Sequence, residues 1–351
     1  MISELLFEGK VPVLNNRLYL DENSAKAAMQ GQLEIVASDQ GYLVNRAFDK
    51  DLINYDKEYQ NEQNYSQKFL EHLEQVQNIL LKYEEKKFIE IGCGKGFFLE
   101  KMANNGIEIE GFDPTYNGIN KCIKKRYFDP QFDSNSLEKR IYVMRHVLEH
   151  IPEPFDFLKI LAEFATEHDL IFIEVPSTNW IVENNAFFDF TYEHVNYFLL
   201  ENLKKNWSEV IESGFFFNDQ YLYLLAKLKS FKKKSISFSK DFLIKMKNVS
   251  SCLSNKSISE VLNEKNSVIW GCAGKGVIWG NYACKLGFSE KIKGYVDINP
   301  EKWGKYVPAS GTKCLSPQEI PSGLEQIVIA NPNYEDEIKD ITRNKYHYVC
   351  I

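Results

Sequence analysis

The chain is predicted to be α/β, with a doubly wound parallel sheet at its centre, a small, mostly β lobe before it and a second, smaller α/β unit after it. Three observations carry this. From Lys87 to about Leu228, short apolar runs alternate with segments of helical period, the pattern of a parallel sheet covered on both faces. The first run, Phe88-Ile-Glu-Ile91, leads into Gly92-Cys93-Gly94-Lys95-Gly96, a strand that turns sharply into a helix. The same order of strand, glycine turn, helix, strand and Asp returns from Ser267 to Asp297.

Residues 1–50 hold short β-type segments, Lys10–Leu14, Arg17–Leu20, Leu33–Ala37 and Tyr42–Asn45, separated by turn residues; they predict the small β lobe. Residues 51–85 carry apolar or aromatic side chains at 65, 69, 70, 73, 76, 79 and 80, a period near 3.6 and hence a connecting helix. Residues 86–228 form the central unit, with strands expected at 88–91, 107–111, 141–145 and 170–175. Its helices are expected at 97–104, 118–125, 155–166 and 200–214. Residues 229–263, rich in Ser, Lys and Asn, are expected to form a helical connector. Residues 264–351 form the second α/β unit, with strands at Ser267–Trp270, Ile292–Val296 and Gln326–Ile329.

Length and composition exclude several classes. At 351 residues the chain exceeds one hydrophobic core. A net charge of −7 argues against a nucleic-acid partner, and the basic run 227–234 holds a single aromatic, Phe231, so it reads as a solvated connector. No apolar stretch reaches the roughly 20 residues of a membrane span, and the first ten residues lack the pattern of a signal peptide. A cytoplasmic protein is expected. The seven cysteines are odd in number, scattered and without C-x-x-C, so free thiols are expected.

The glycine turn implies a small-molecule site. Gly92, Gly94 and Gly96 let the backbone approach a ligand closely, and the helix opening at Phe97 offers its amino end to a carboxylate. Asp113, followed by Pro114, ends the second strand, where an acid accepts hydrogen bonds from ribose hydroxyls. Dinucleotide loops read G-x-G-x-x-G, but position 97 is Phe. Glu90-x-Gly92-x-Gly94-x-Gly96 instead resembles the first motif of the class I methyltransferases. That resemblance implies a Rossmann-like methyltransferase core with S-adenosylmethionine as cofactor. Its methionine part would lie on the turn and Phe97, with Glu90 ordering its ammonium, Asp113 taking its ribose, and Arg145 and His146 at its edge.

Among the six histidines, His146 and His150 leave the central strand in Arg145-His-Val-Leu-Glu-His150, spaced as on one helix face. His194 lies in Thr191-Tyr192-Glu193-His194, after the strand ending Glu174-Val-Pro176. Both segments should line the cleft beyond the carboxyl ends of the strands, where histidine is suited to proton transfer. The two spaced histidines lack the H-E-x-x-H arrangement and a nearby third ligand, so no metal is expected.

The string Tyr192-Glu193-His194 with Tyr197-Phe198 resembles the active segment of C-methyltransferases that act on nucleotide-linked keto sugars. Gly271–Gly276, Val296–Pro308 and Leu315–Glu319 resemble that family's C-terminal domain, and Asn54–Tyr59 with Gln63, Ser66, Phe69 and His72 its entry to the core. The resemblance implies proton removal next to a ketone by His194, oriented by Glu193. His150 or Tyr192 would support the enolate oxygen, and the outer lobes would grip a nucleotide-linked sugar. The chain departs from that family at two places. No Cys precedes Cys93, so the family's N-terminal zinc is not expected, and Thr191 and Tyr192 replace the family's Tyr and first His. The rivals are O- or N-methylation of another small metabolite, an oxidoreductase binding a nicotinamide cofactor on Gly271–Asp297, and a non-catalytic cofactor-binding scaffold. The oligomeric state is left open.

Overall fold

The computed structural model describes residues 4–56, 58–59, 61–134, 139–251, 255–262 and 265–351. Its centre is a seven-stranded sheet in the order Val210–Phe216, Tyr221–Lys227, Leu170–Pro176, Arg140–Arg145, Lys87–Ile91, Ile109–Phe112, Ile123–Lys124. Tyr221–Lys227 runs antiparallel to both of its neighbours, and the other pairs are parallel. Chain order reverses at Lys87–Ile91, which lies between the strand that follows it and one reached by a long crossover. Such a switch point opens a crevice at the carboxyl ends of the strands.

The central strands read as unbroken apolar runs because both faces are covered. In Arg140–Arg145, Ile141 and Val143 pack into the core on one side, and Tyr142 and Met144 into that on the other. One cover is the helix Gln67–Leu80, which buries His72, Leu73, Val76, Ile79 and Leu80 on the expected face. Ser66 caps it, its hydroxyl accepting from Phe69 N at 3.2 Å, which satisfies one of the amides a helix start leaves free.

A second sheet has four antiparallel strands, Leu5–Pro12, Gln30–Ala37, Leu43–Asn45 and Asn196–Tyr197. The last belongs to the central part of the chain and pairs Leu43 with Tyr197. The third sheet is parallel and five-stranded, with Ser267–Trp270 in the middle. Among the described residues no helix is long and apolar enough to cross a membrane.

Several expectations are corrected. Residues 118–125 form no helix but lead into the strand Ile123–Lys124, because local hydrogen bonds compete with helix formation. The Tyr116 hydroxyl accepts from Asn120 N, and Asn120 Oδ1 from Cys122 N. Residues 200–214 divide into a helix, Leu200–Lys204, and the strand Val210–Phe216. Buried Asn206 donates to the Asn202 carbonyl and accepts from Lys234 N, which ends the helix. His146 and His150 share no helix face: His146 is left-handed (φ 53°) and Leu148–His150 is a 3-10 turn. Arg17–Leu20 makes only isolated bridges. Cys272 and Cys314 form a disulfide with Cα atoms 5.9 Å apart, a contact that the fold creates between residues distant in sequence.

The loop carrying Glu193 and His194 is pinned from below. The buried Tyr197 hydroxyl donates to the Thr191 carbonyl at 2.8 Å and accepts from Thr191 N at 3.0 Å. Tyr197→Phe leaves both backbone groups without that partner and is expected to cost about 1–3 kcal/mol in urea unfolding. An unchanged midpoint would show that the loop is held by packing alone.

Candidate functional site

One cavity of about 440 Å³ lies at the carboxyl ends of the central strands, where the three sheets converge. That volume is within the range of small-molecule sites. Its walls include the turn Gly92–Lys95, Arg145 and His146 at the end of the fourth core strand, and Thr191, Glu193 and His194. The turn Gly271–Gly276 faces them from the C-terminal unit.

The glycine turn is built for close approach. A Cβ on Gly92 would collide with Val147, whereas Gly94, at φ +56°, has open space where its Cβ would stand. Asp113 Oδ2 accepts from Gly94 N at 2.9 Å, and Oδ1 from Thr115 N and Oγ1 at 2.8 and 2.6 Å. Asp113 and Pro114 stand behind the turn rather than in the cavity wall, so the aspartate shapes the turn before any ribose reaches it. Glu90 is buried in the wall, and its Oε2 has no hydrogen-bond partner among the described residues. Burial, opposed by Arg145 and reinforced by Asp113, raises its pKa to about 7. An open glycine backbone beside an unsatisfied carboxyl fits the carboxylate and ammonium of a methionine moiety. Phe97 lies at the mouth of the cavity, half-exposed.

Behind the turn is a buried ionic group. Glu174, fully buried, accepts from His72 Nε2 at 2.7 Å and from Arg145 Nε at 2.9 Å, with His146 Nε2 at 3.4 Å. Burial opposes its charge, but Arg145 and the histidines hold its pKa well below the usual carboxylate value. Burial likewise opposes charge on His146, yet Glu149 and Glu174 overcome it and raise its pKa to about 9. His146 is therefore an imidazolium at neutral pH.

The acid–base groups lie on the opposite wall. His150 Nδ1 is 2.7 Å from the Glu193 carbonyl; the carbonyl only accepts, so Nδ1 carries the hydrogen. The His150 and His194 rings meet edge to face at 4.9 Å. Burial, with His150 adding to it, lowers the His194 pKa to about 3, so His194 is neutral and weakly basic. Burial raises Glu193 to about 7, against hydrogen bonds from Tyr59, Asn15 and Tyr55. Tyr192 is a correction: its hydroxyl accepts from Asp49 N at 2.8 Å and donates to Asp49 O, its ring is buried, and it does not line the cavity. It fastens the lobe.

The C-terminal wall repeats the cofactor-side device. Asp297 Oδ2 accepts from Cys272 N in the second glycine turn and from Lys302 Nζ. Lys275 of that turn reaches Asp189 at 2.7 Å and lies over the Trp180 ring. Residue-level reasoning passed over Tyr59, Asn16, Glu149 and Lys275. Tyr59, Glu149 and Lys275 stood within the motif strings described above, but only the fold shows which neighbours face the cavity.

Residues 43–210 match the family model of a methyltransferase domain. The chain is similar to the mitochondrial ubiquinone biosynthesis O-methyltransferase of Homo sapiens, at 29% identity over 82 residues, 23% of this chain and 21% of that protein. It is also similar to the ubiquinone biosynthesis O-methyltransferase of Yersinia pestis (strain Pestoides F), at 22% over 107 residues, 27% of this chain and 44% of that one. The chain thus spans less than half the length of these curated relatives. Among solved structures, a Burkholderia thailandensis 1,6-didemethyltoxoflavin-N1-methyltransferase aligns with a TM-score of 0.34 at 12% identity, over 44% of this chain and 77% of that one. The strand order, the glycine turn with its acid and the family match converge: the chain carries a class I methyltransferase domain, whose methyl donor is S-adenosylmethionine.

Proposed function

We propose that this protein is a methyltransferase that transfers a methyl group to carbon next to the ketone of a nucleotide-linked keto sugar. The observation that carries the reading is Glu193, a buried carboxyl in the cavity wall with a pKa near neutrality. A general base works best with its pKa close to the operating pH. Its pKa lies well above that of His194, so the expected roles are exchanged: Glu193 takes the proton and His194 stands beside it.

Bound S-adenosylmethionine supplies an electrophilic methyl on a sulfonium. The Gly92–Gly96 backbone and Glu90 hold its amino-acid end, and Asp113 keeps the turn in shape for it. Glu193 removes the proton that the neighbouring carbonyl has acidified. The charge of the His146 imidazolium, whose ring nitrogens face Glu149 and Glu174, acts through space on the oxygen charge that develops in that step. Tyr55 and Tyr59, which hydrogen-bond to Glu193, orient the carboxylate. The amide-rich turn Gly271–Gly276, at the amino end of the helix Lys275–Lys285, suits a diphosphate. That is the support for a nucleotide-linked substrate.

Both relatives are named O-methyltransferases, and transfer to oxygen is the second reading. Incubation with methyl-labelled donor and a panel of nucleotide-linked keto sugars separates the two. The carbon reading requires a C–CH3 signal in product NMR, and an O–CH3 signal in its place would overturn it. Asp113→Ala, which removes the hydrogen bond to Gly94 N in the turn and two to Thr115, is expected to weaken donor binding about 10- to 100-fold in calorimetry, corresponding to about 1–3 kcal/mol. Activity should rise with pH through about 7 as Glu193 loses its proton. Glu193→Gln is expected to remove that limb and lower turnover by about 10²–10⁴ while sparing donor affinity.

A further inference from the structure

Glu149 lies beneath the cavity wall, 1% exposed, and neither carboxylate oxygen has a hydrogen-bond partner among the described residues. His146 Nδ1 lies 3.5 Å from Oε1, and the other ring nitrogen of that histidine faces Glu174. A buried carboxylate left so is costly unless a ligand completes it. Two imidazoles adjoin it. One ligand atom from each of Glu149, His150 and His194 falls within 4.8 Å of the others.

We propose that Glu149, His150 and His194 form a binding site for one first-row divalent cation at the floor of the cavity. Metal–ligand bonds of about 2.1 Å put neighbouring ligand atoms roughly 3.0–3.4 Å apart, a contraction that small side-chain rotations supply. His150 is already oriented as a ligand. Its Nδ1–H is given to the Glu193 carbonyl, which fixes the tautomer and leaves the Nε2 lone pair free, the arrangement that backbone carbonyls impose on metal-binding histidines. His194 Nδ1 is buried without a partner. Two imidazole nitrogens and one carboxylate oxygen suit zinc, manganese, iron, cobalt or nickel better than calcium or magnesium. Because His150 and His194 line the cavity, the remaining coordination positions open toward the acceptor, where a ketone or a pair of adjacent oxygens would fill them. The two histidines come from different segments, a 3-10 turn and the Tyr197-pinned loop, so sequence spacing gives no sign of the set.

Cobalt(II) is the probe. The full-length chain, freed of metal by chelator and dialysed, is titrated with cobalt chloride and followed by calorimetry and visible absorption. The expected result is one cobalt per chain, with d–d bands and no thiolate charge transfer, and affinity falling at least about 100-fold in Glu149→Gln and His194→Gln. Near-normal S-adenosylmethionine affinity identifies the folded variants, and His150→Gln replaces either one that fails this check. Absence of saturable binding, a thiolate band, or affinity unchanged in the folded variants would overturn the site. Metal binding, not methyl transfer, is read, so failure would leave the role of Glu193 standing.

Discussion

The cavity depends on one buried anion. Glu174 has no contact with water, and a carboxylate in that position survives only with partners at hydrogen-bonding distance. Those partners come from different elements: His72 from the covering helix Gln67–Leu80, and Arg145 and His146 from the end of the neighbouring strand. Their convergence ties three pieces of chain at the carboxyl edge of the sheet. It also fixes Arg145 and His146 in the cavity wall. Removing one partner would leave charge buried without compensation, so the group acts as a unit.

The same solution is used on both sides of the cavity. An aspartate at the end of one strand accepts from an amide in the glycine turn after the neighbouring strand: Asp113 with Gly94, and Asp297 with Cys272. In each case the side chain does in the protein what a ligand hydroxyl would otherwise be asked to do, and the turn is set in advance. Preorganisation of that kind lowers the ordering cost of binding. The two sides differ in their cations. Lys302 neutralises Asp297 directly, while among the described residues no cation pairs with Asp113.

The α/β alternation, the covering helix and the glycine turn were legible because each rests on local physics: a hydrophobic period, a backbone that only glycine adopts, a cap. The errors came where local signals conflict with distant contacts. An amphipathic stretch at 200–214 was expected to be one helix, and the buried amide of Asn206 ends it after a short run. Helical spacing of His146 and His150 was broken by a left-handed residue that serves Glu174. Glu193 and His194 were found together, but the opposite shifts of their pKa values follow from burial, which raises the carboxyl against hydrogen bonds from Tyr55 and Tyr59, residues remote in sequence, and lowers the imidazole. Tyr192 sits next to them and turns the other way, its hydroxyl held by the Asp49 backbone.

The short strand Asn196–Tyr197 completes the N-terminal sheet although it belongs to the methyltransferase part of the chain. It begins two residues after His194. The lobe is therefore no detachable appendage. Cutting the gene before the methyltransferase domain, or exchanging the lobe for that of a relative, would strip this strand of its neighbour and unfasten the acid–base segment with it. Any chimera meant to alter acceptor choice must carry the strand and its lobe together as a single cassette.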